Sequence, residues 1–176
     1  MSSVSKGIRK VQVMLRWDPS LIGAPAHDLD IIAATYLADA PQGPAAYLVH
    51  FDSRSPDGTI LLNRDSRTGQ GFGFDEVMTL ELDRLSSAYS RVVVGVAIQQ
   101  KGEPKAFGDI ANTGVRLAEG HTTLFEDDFA DVQGSTAATV AEFTRDSTGT
   151  WGLVADVRGF DGDPDSFAAT MGGSDS

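Results

Sequence analysis

Cysteine is absent from this chain of 176 residues. Its absence excludes a disulfide scaffold, a thiolate zinc site, an iron–sulfur cluster and a cysteine nucleophile. No run of about eighteen apolar residues exists, so no helix is expected to span a membrane. The segment from Met1 to Lys10 lacks the apolar stretch of a secretory signal, and the expected location is therefore the cytoplasm. Basic residues are few, 14 Lys and Arg against 25 Asp and Glu, for a formal net charge of −11. A field of that sign repels phosphate backbones and argues against a nucleic-acid partner. Helical periodicity is scarce as well. What remains is ordinary globular composition, 41% hydrophobic and 22% charged, and one domain over 1–176 with frayed ends at 1–6 and 173–176.

Nineteen glycines and seven prolines cut the chain into short pieces. Ile8 to Trp17 alternates, with Val11, Val13 and Leu15 on one face, the period of a half-buried strand. Leu29 to Ala38, Ala45 to Phe51, Thr59 to Leu62 and Glu76 to Leu82 read as further strands. Arg91 to Ile98 is apolar throughout and reads as a central strand buried on both faces. Val115 to Leu117 and His121 to Phe125 flank Glu119-Gly120 as a hairpin. Thr136 to Arg145 and Thr150 to Arg158 flank Asp146-Ser147-Thr148-Gly149 as another. Nine or ten short strands with frequent turn signals predict an all-β sandwich or barrel. One helix is expected, Pro164 to Met171, with Asp163 as N-cap, Pro164 at the first helical position and Gly172-Gly173 as the stop. The same aspartates imitate the start of an EF-hand loop. That loop would need a glycine where Ser166 stands and a glutamate where Gly172 stands, so the helix cap explains them better.

Two acidic clusters could carry chemistry. The first is Asp18 with Asp28-Leu29-Asp30. In an extended chain Asp28 and Asp30 project to one face roughly 6.5–7 Å apart, too wide to share an ion without a bend. The second is the loop from Asp65 to Glu76, where Gly69, Gly71 and Gly73 free the backbone and Asp65, Asp75 and Glu76 bracket it. Carboxylates and carbonyls are what a hard cation such as Ca²⁺ takes, six to eight oxygens of them. Phe72 and Phe74 interrupt this loop, and at least one should pack on the body or on a partner. Glu126-Asp127-Asp128 reads as a solvated loop or edge. His27, His50 and His121 are isolated, and Trp17 and Trp151 read as core residues. No nucleophile elbow, phosphate loop or dinucleotide fingerprint is present.

Taken in order, Val11-Gln12-Val13, Trp17-Asp18, Asp28-Leu29-Asp30, Asp65-Ser66-Arg67-Thr68-Gly69, Phe72-Gly73-Phe74-Asp75-Glu76, Phe107-Gly108-Asp109, Leu124-Phe125-Glu126-Asp127, Ala141-Glu142-Phe143 and Trp151-Gly152-Leu153 to Gly159-Phe160 resemble the TerD domain of bacterial tellurium-resistance and stress-response proteins. The pattern runs over nearly the whole chain. The resemblance implies a β-sandwich of two packed, mainly antiparallel sheets with a short C-terminal helix and calcium held in loops at one end. It implies Asp28, Asp30, Asp65, Asp75 and Glu76 as side-chain ligands, Gly69 as a carbonyl donor and Asp18 as an outlying candidate. The family's acidic loop reads Gly-Asp-Asn, then Thr-Gly, then Gly-Asp-Gly-Asp-Asp-Glu. Here Arg64 and Ser66 replace its first Gly and its Asn, and Phe72 and Phe74 stand where it has acids. Two lost carboxylates predict one retained calcium site where the family usually holds two. The implied function is a non-enzymatic calcium-binding module whose ordered loops present a surface to a protein partner. The alternatives are a metal-independent interaction module, in which Phe72 and Phe74 replace part of the ion site, and a metal-assisted hydrolase.

Overall fold

A computed structural model describes residues 7–21, 23–24, 27–51, 53–65, 74–100 and 105–172, with backbone alone at 64 and 65. Among these residues ten strands and one α-helix follow in order: β1 (Lys10–Arg16), β2 (Leu29–Leu37), β3 (Tyr47–Val49), β4 (Ile60–Asp65), β5 (Glu76–Glu81), β6 (Tyr89–Ile98), β7 (Gly114–Glu119), β8 (Thr122–Asp127), β9 (Ala137–Arg145), β10 (Trp151–Phe160) and α1 (Pro164–Thr170). They form two five-stranded sheets, β4-β5-β1-β7-β8 and β10-β9-β6-β2-β3. Every pairing is antiparallel. The strand pattern left sandwich and barrel open, and the sandwich that the resemblance implies is the observed architecture.

Alternation decides what each strand buries. Val11, Val13 and Leu15 of β1 stand opposite Leu80, Met78 and Glu76 of β5. All six side chains are fully buried. Directly paired residues share a face, so Glu76 lies in the inward row with Met78 and Leu80. β6 sits between β9 and β2 and is buried on both faces. Val92, Val94, Val96 and Ile98 join the core between the sheets. Val93 and Ala97 join a second apolar cluster with Ile32, Ala34, Tyr36, Phe167 and Met171. α1 thus covers the outer face of the second sheet.

The helix forms where its cap predicts. Asp163 has extended backbone and accepts the Ser166 N–H at 2.8 Å, with Pro164 following. Phe167 then presses on Gly95, where an added Cβ would stand 2.5 Å from its ring. The close approach of helix to sheet needs glycine there.

The differences from the expected elements are local. Ala45 to Phe51 contracts to the three residues of β3. Asp65 ends β4 instead of opening the loop. Trp17 lies one residue beyond β1. None of the described helices is long and apolar enough to cross a membrane.

Candidate metal centre

One end of the sandwich gathers the end of β1, the start of β5 and the start of β2. Strand direction makes this so. β1 and β5 are antiparallel, so the chain leaves β1 at Arg16 beside the start of β5 at Glu76. Trp17 is the hub. Its backbone N–H donates to Asp75 Oδ2 at 2.8 Å, and its indole N–H donates to the His27 carbonyl at 3.0 Å. Asp75 in turn donates its own N–H to the Leu15 carbonyl at 2.8 Å. Asp75 is therefore tied to the end of β1 through both backbone and side chain.

Glu76 reaches across the interior to the other sheet. Its Oε1 accepts the Ile31 N–H of β2 at 2.6 Å. The reason lies in the sheet edge. β3 pairs with β2 only from Ala33 to Thr35, so the β2 backbone before Ala33 has no β3 partner on that side. A buried N–H without a partner is costly, and the Glu76 carboxylate satisfies this one. Asp28, just before β2, is 8% exposed, and Asp75 and Glu76 are 2% and 0% exposed. Asp28 keeps its carbonyl on the Gln99 N–H at 2.8 Å. Beside it, burial and then the Lys105 ammonium hold the His27 imidazole below its ordinary value. An ammonium only donates, so His27 Nδ1 accepts from Lys105 Nζ at 2.9 Å.

Asp30 and Asp18 fall elsewhere. Asp30 is 2% exposed and stands opposite Ala97 in the β2–β6 register. That places it in the outward row with Ile32, on the face that α1 covers, where its Oδ2 accepts the Gln99 amide. Asp18 is exposed and its carboxylate accepts the Asn112 amide at 2.7 Å. Asp65 stands opposite Glu76 in the β4–β5 register, and its side chain lies outside the described residues. So do Gly69 and Phe72. Phe74 is half-buried under the Arg116 guanidinium, 5.1 Å from its ring centroid. This is packing on the body, as expected for at least one of the two phenylalanines.

The donor set is wholly oxygen, which suits calcium or magnesium and not a soft metal. One oxygen of Asp75 and one of Glu76 are committed to backbone N–H groups, and each carboxylate carries a second. Among the described residues no three acidic or histidine side chains stand close enough to hold an ion alone. The part of the acidic loop at 66–73 lies outside them. Reading residues one by one missed Trp17 as an organising group. Its signal was its place directly before Asp18 at the end of an alternating strand, where the backbone N–H needs a new acceptor.

Comparison with known proteins agrees with this architecture. The TerD domain model matches residues 1–170. The solved structure of SCO6318 from Streptomyces coelicolor A3(2), a homologue of telluride resistance protein TerD, superposes with a TM-score of 0.93. It is 58% identical, and the match covers 96% of this chain and 100% of that one. Tellurium resistance protein TerD of Alcaligenes sp. is 27% identical over 177 residues, covering 98% of this chain and 92% of its own length. General stress protein 16U of Bacillus subtilis is 25% identical over 169 residues, covering 92% and 86%. The chain belongs to the TerD domain family.

Proposed function

We propose that this protein is a calcium-binding, non-enzymatic module of the bacterial tellurite and stress response, cytoplasmic, with loops at one end ordered by Ca²⁺ into a surface for a protein partner. The observation that carries the reading is the burial of Asp28, Asp75 and Glu76, none more than 8% exposed, around the hydrogen bonds of Trp17. Carboxylates held near one another raise each other's proton affinity, and a divalent ion removes that cost. In this reading Asp75 and Glu76 give the ion its rigid side, and Asp28 joins them as the loop orders. Asp65 and the Gly69 carbonyl close the shell from the loop. Folding of the loop and ion binding are then linked. Relatives named as resistance and stress proteins support the non-enzymatic part of the reading.

The test is calorimetric titration of Ca²⁺ into chelator-stripped protein, with Mg²⁺ as control and Asp75→Asn as variant. Asparagine still offers an oxygen to the Trp17 N–H but has lost the charge. The expected result is a stoichiometry near one, and at least a tenfold loss of affinity in the variant without loss of stability in chelator. A stoichiometry near two would restore the second site despite Phe72 and Phe74. No heat and no change in melting temperature would remove calcium from the account.

One observation favours a second reading. Phe74 packs under the Arg116 guanidinium, 5.1 Å from its ring centroid, so this side chain is anchored on the sandwich by an apolar and cation–π contact. A metal-independent interaction module, with the phenylalanines replacing part of the ion site, would keep its fold and its partner in chelator.

A further inference from the structure

At the end of the sandwich away from the acidic cluster, a cavity of about 320 Å³ opens between the chain entering β1, the segment joining β5 to β6, and the β9–β10 hairpin. That volume lies at the lower end of the range of small-molecule sites, about 300–1,000 Å³. Arg9, Asp83, Ser87, Arg145 and Thr150 are among its lining residues. Arg145 is only partly satisfied there. A guanidinium has five N–H donors. Its Nη1 donates to the Ser86 carbonyl at 3.2 Å and its Nη2 to the Leu85 carbonyl at 2.8 Å. Nε is buried without an acceptor. Neither Arg145 nor Arg9 makes an ion pair among the described residues. Arg145 is half-buried, and burial holds its guanidinium below the ordinary value. A cation drawn out of water without a counter-charge is costly.

The kind of ligand follows from charge and from where the donors stand. In the described lining two guanidiniums face one acid, the exposed Asp83. Gly7 stands against Thr150, and the six residues before it hold Lys6 and no Asp or Glu. That stretch of sequence therefore brings no acid of its own. The donors come from separate segments: Arg9 from before β1, Ser87 from the β5–β6 segment, Arg145 from the end of β9 and Thr150 from before β10. The Thr150 hydroxyl also meets that of Thr148 at 3.0 Å. The arginine fork recognises carboxylate and phosphate alike. A carboxylate offers two oxygens in one plane, whereas donors on four segments suit oxygens set in several directions. We propose that the cavity between the start of β1, the β5–β6 segment and the β9–β10 hairpin binds a small tetrahedral oxyanion of the phosphate class. Arg145 is the anchor of this site, Arg9 its second charge, and the Ser87 and Thr150 hydroxyls its neutral donors. The site lies at the opposite end from Asp75 and Glu76 and does not rest on the calcium reading.

The experiment titrates inorganic phosphate, sulfate and acetate separately into the full chain in chelator. Chloride holds the ionic strength at about 0.15 M, which screens the diffuse repulsion of a negative surface. The readout is the pair of indole N–H resonances in a nitrogen–proton correlation spectrum. Trp151 lies under the Arg145 guanidinium, 4.6 Å from the ring centroid, and Trp17 donates its indole N–H at the other end. Phosphate and sulfate are expected to shift Trp151 saturably and to leave Trp17 in place, with acetate at least tenfold weaker. Arg145→Lys keeps the charge but loses the fork, and should weaken phosphate at least tenfold. Arg9→Gln, at an exposed position, should weaken it about threefold and leave the melting temperature unchanged. The proposal is overturned if phosphate gives no saturable shift of Trp151 or moves both indoles alike. It is equally overturned if acetate binds as phosphate does, or if both variants titrate as wild type does.

Discussion

The two tryptophans stand at opposite ends of the sandwich, each 3% exposed, and their surroundings carry opposite charge. Trp17 follows the end of β1 and binds Asp75 and the His27 carbonyl. Trp151 opens β10, near the start of β1, where the Ile8 N–H donates to its carbonyl at 3.0 Å. The Arg145 guanidinium lies over the Trp151 ring, 4.6 Å from the centroid, and donates to the Leu85 and Ser86 carbonyls. At one end a carboxylate completes backbone donors. At the other a guanidinium completes backbone acceptors. Both ends solve the same problem, strand termini whose polar groups face away from water. A charged side chain at a strand end is therefore no evidence of a ligand by itself. What sets the Trp17 end apart is that Asp28, Asp75 and Glu76 are all buried there, beside a glycine-rich segment bracketed by acids.

Three variants separate the structural share of each end from any ligand. The largest effect is expected for Asp75→Ala, which leaves the Trp17 N–H without its acceptor. The cost is about 2 kcal/mol, or a fall in melting temperature of about 4–8 °C for a domain of this size. Thermal melts in chelator measure it, and Asp75→Asn should recover most of the loss. If Asp75→Ala melts as wild type does, the backbone role assigned to Asp75 is wrong. Arg145→Met comes next. It keeps an apolar stem on Trp151 but gives up both carbonyl partners and the cation–π contact, for about 1.5 kcal/mol. Urea midpoints should show the loss, and added calcium should not restore it.

The smallest effect belongs to Asp146, in the turn between β9 and β10. The Thr148 hydroxyl, followed by the Thr150 N–H, holds its carboxyl below the ordinary value of 3.8. A depressed carboxyl pKa means the folded state binds fewer protons than the unfolded chain near that pH. Its stabilisation is complete above 3.8 and fades as pH falls through the lower folded value. The difference in urea midpoint between wild type and Asp146→Ala should thus be constant near neutrality and shrink in acid. A gap that widens in acid would reverse the sign argued here.

Much of the fold was legible in the residues. Alternation at Val11, Val13 and Leu15, the continuous apolar run of β6 and the Asp163-Pro164 cap each follow from local periodicity or local hydrogen bonding, which neighbours in sequence settle between themselves. The β1–β5 register then set Glu76 in the inward row with Met78 and Leu80. Less of the candidate site was legible. Asp28 and Asp30 look alike in sequence, two apart and flanking one leucine. Asp30 nonetheless joins the α1-covered face with Gln99, a residue 69 positions away.

The sequence by itself determined most of the strands and the start of the helix, and its ordered motifs the family and with it the two-layer sandwich. The strands and the helix cap depend on period and turn chemistry over short spans. Tertiary structure alone decided that Trp17 would join Asp75 to His27, that Glu76 would serve the Ile31 N–H left beyond the end of β3, and that Asp30 would meet Gln99 on the face that α1 covers. Each of these is a contact between segments far apart in the chain, and only the packing of one sheet or helix against another brings such partners within hydrogen-bonding distance.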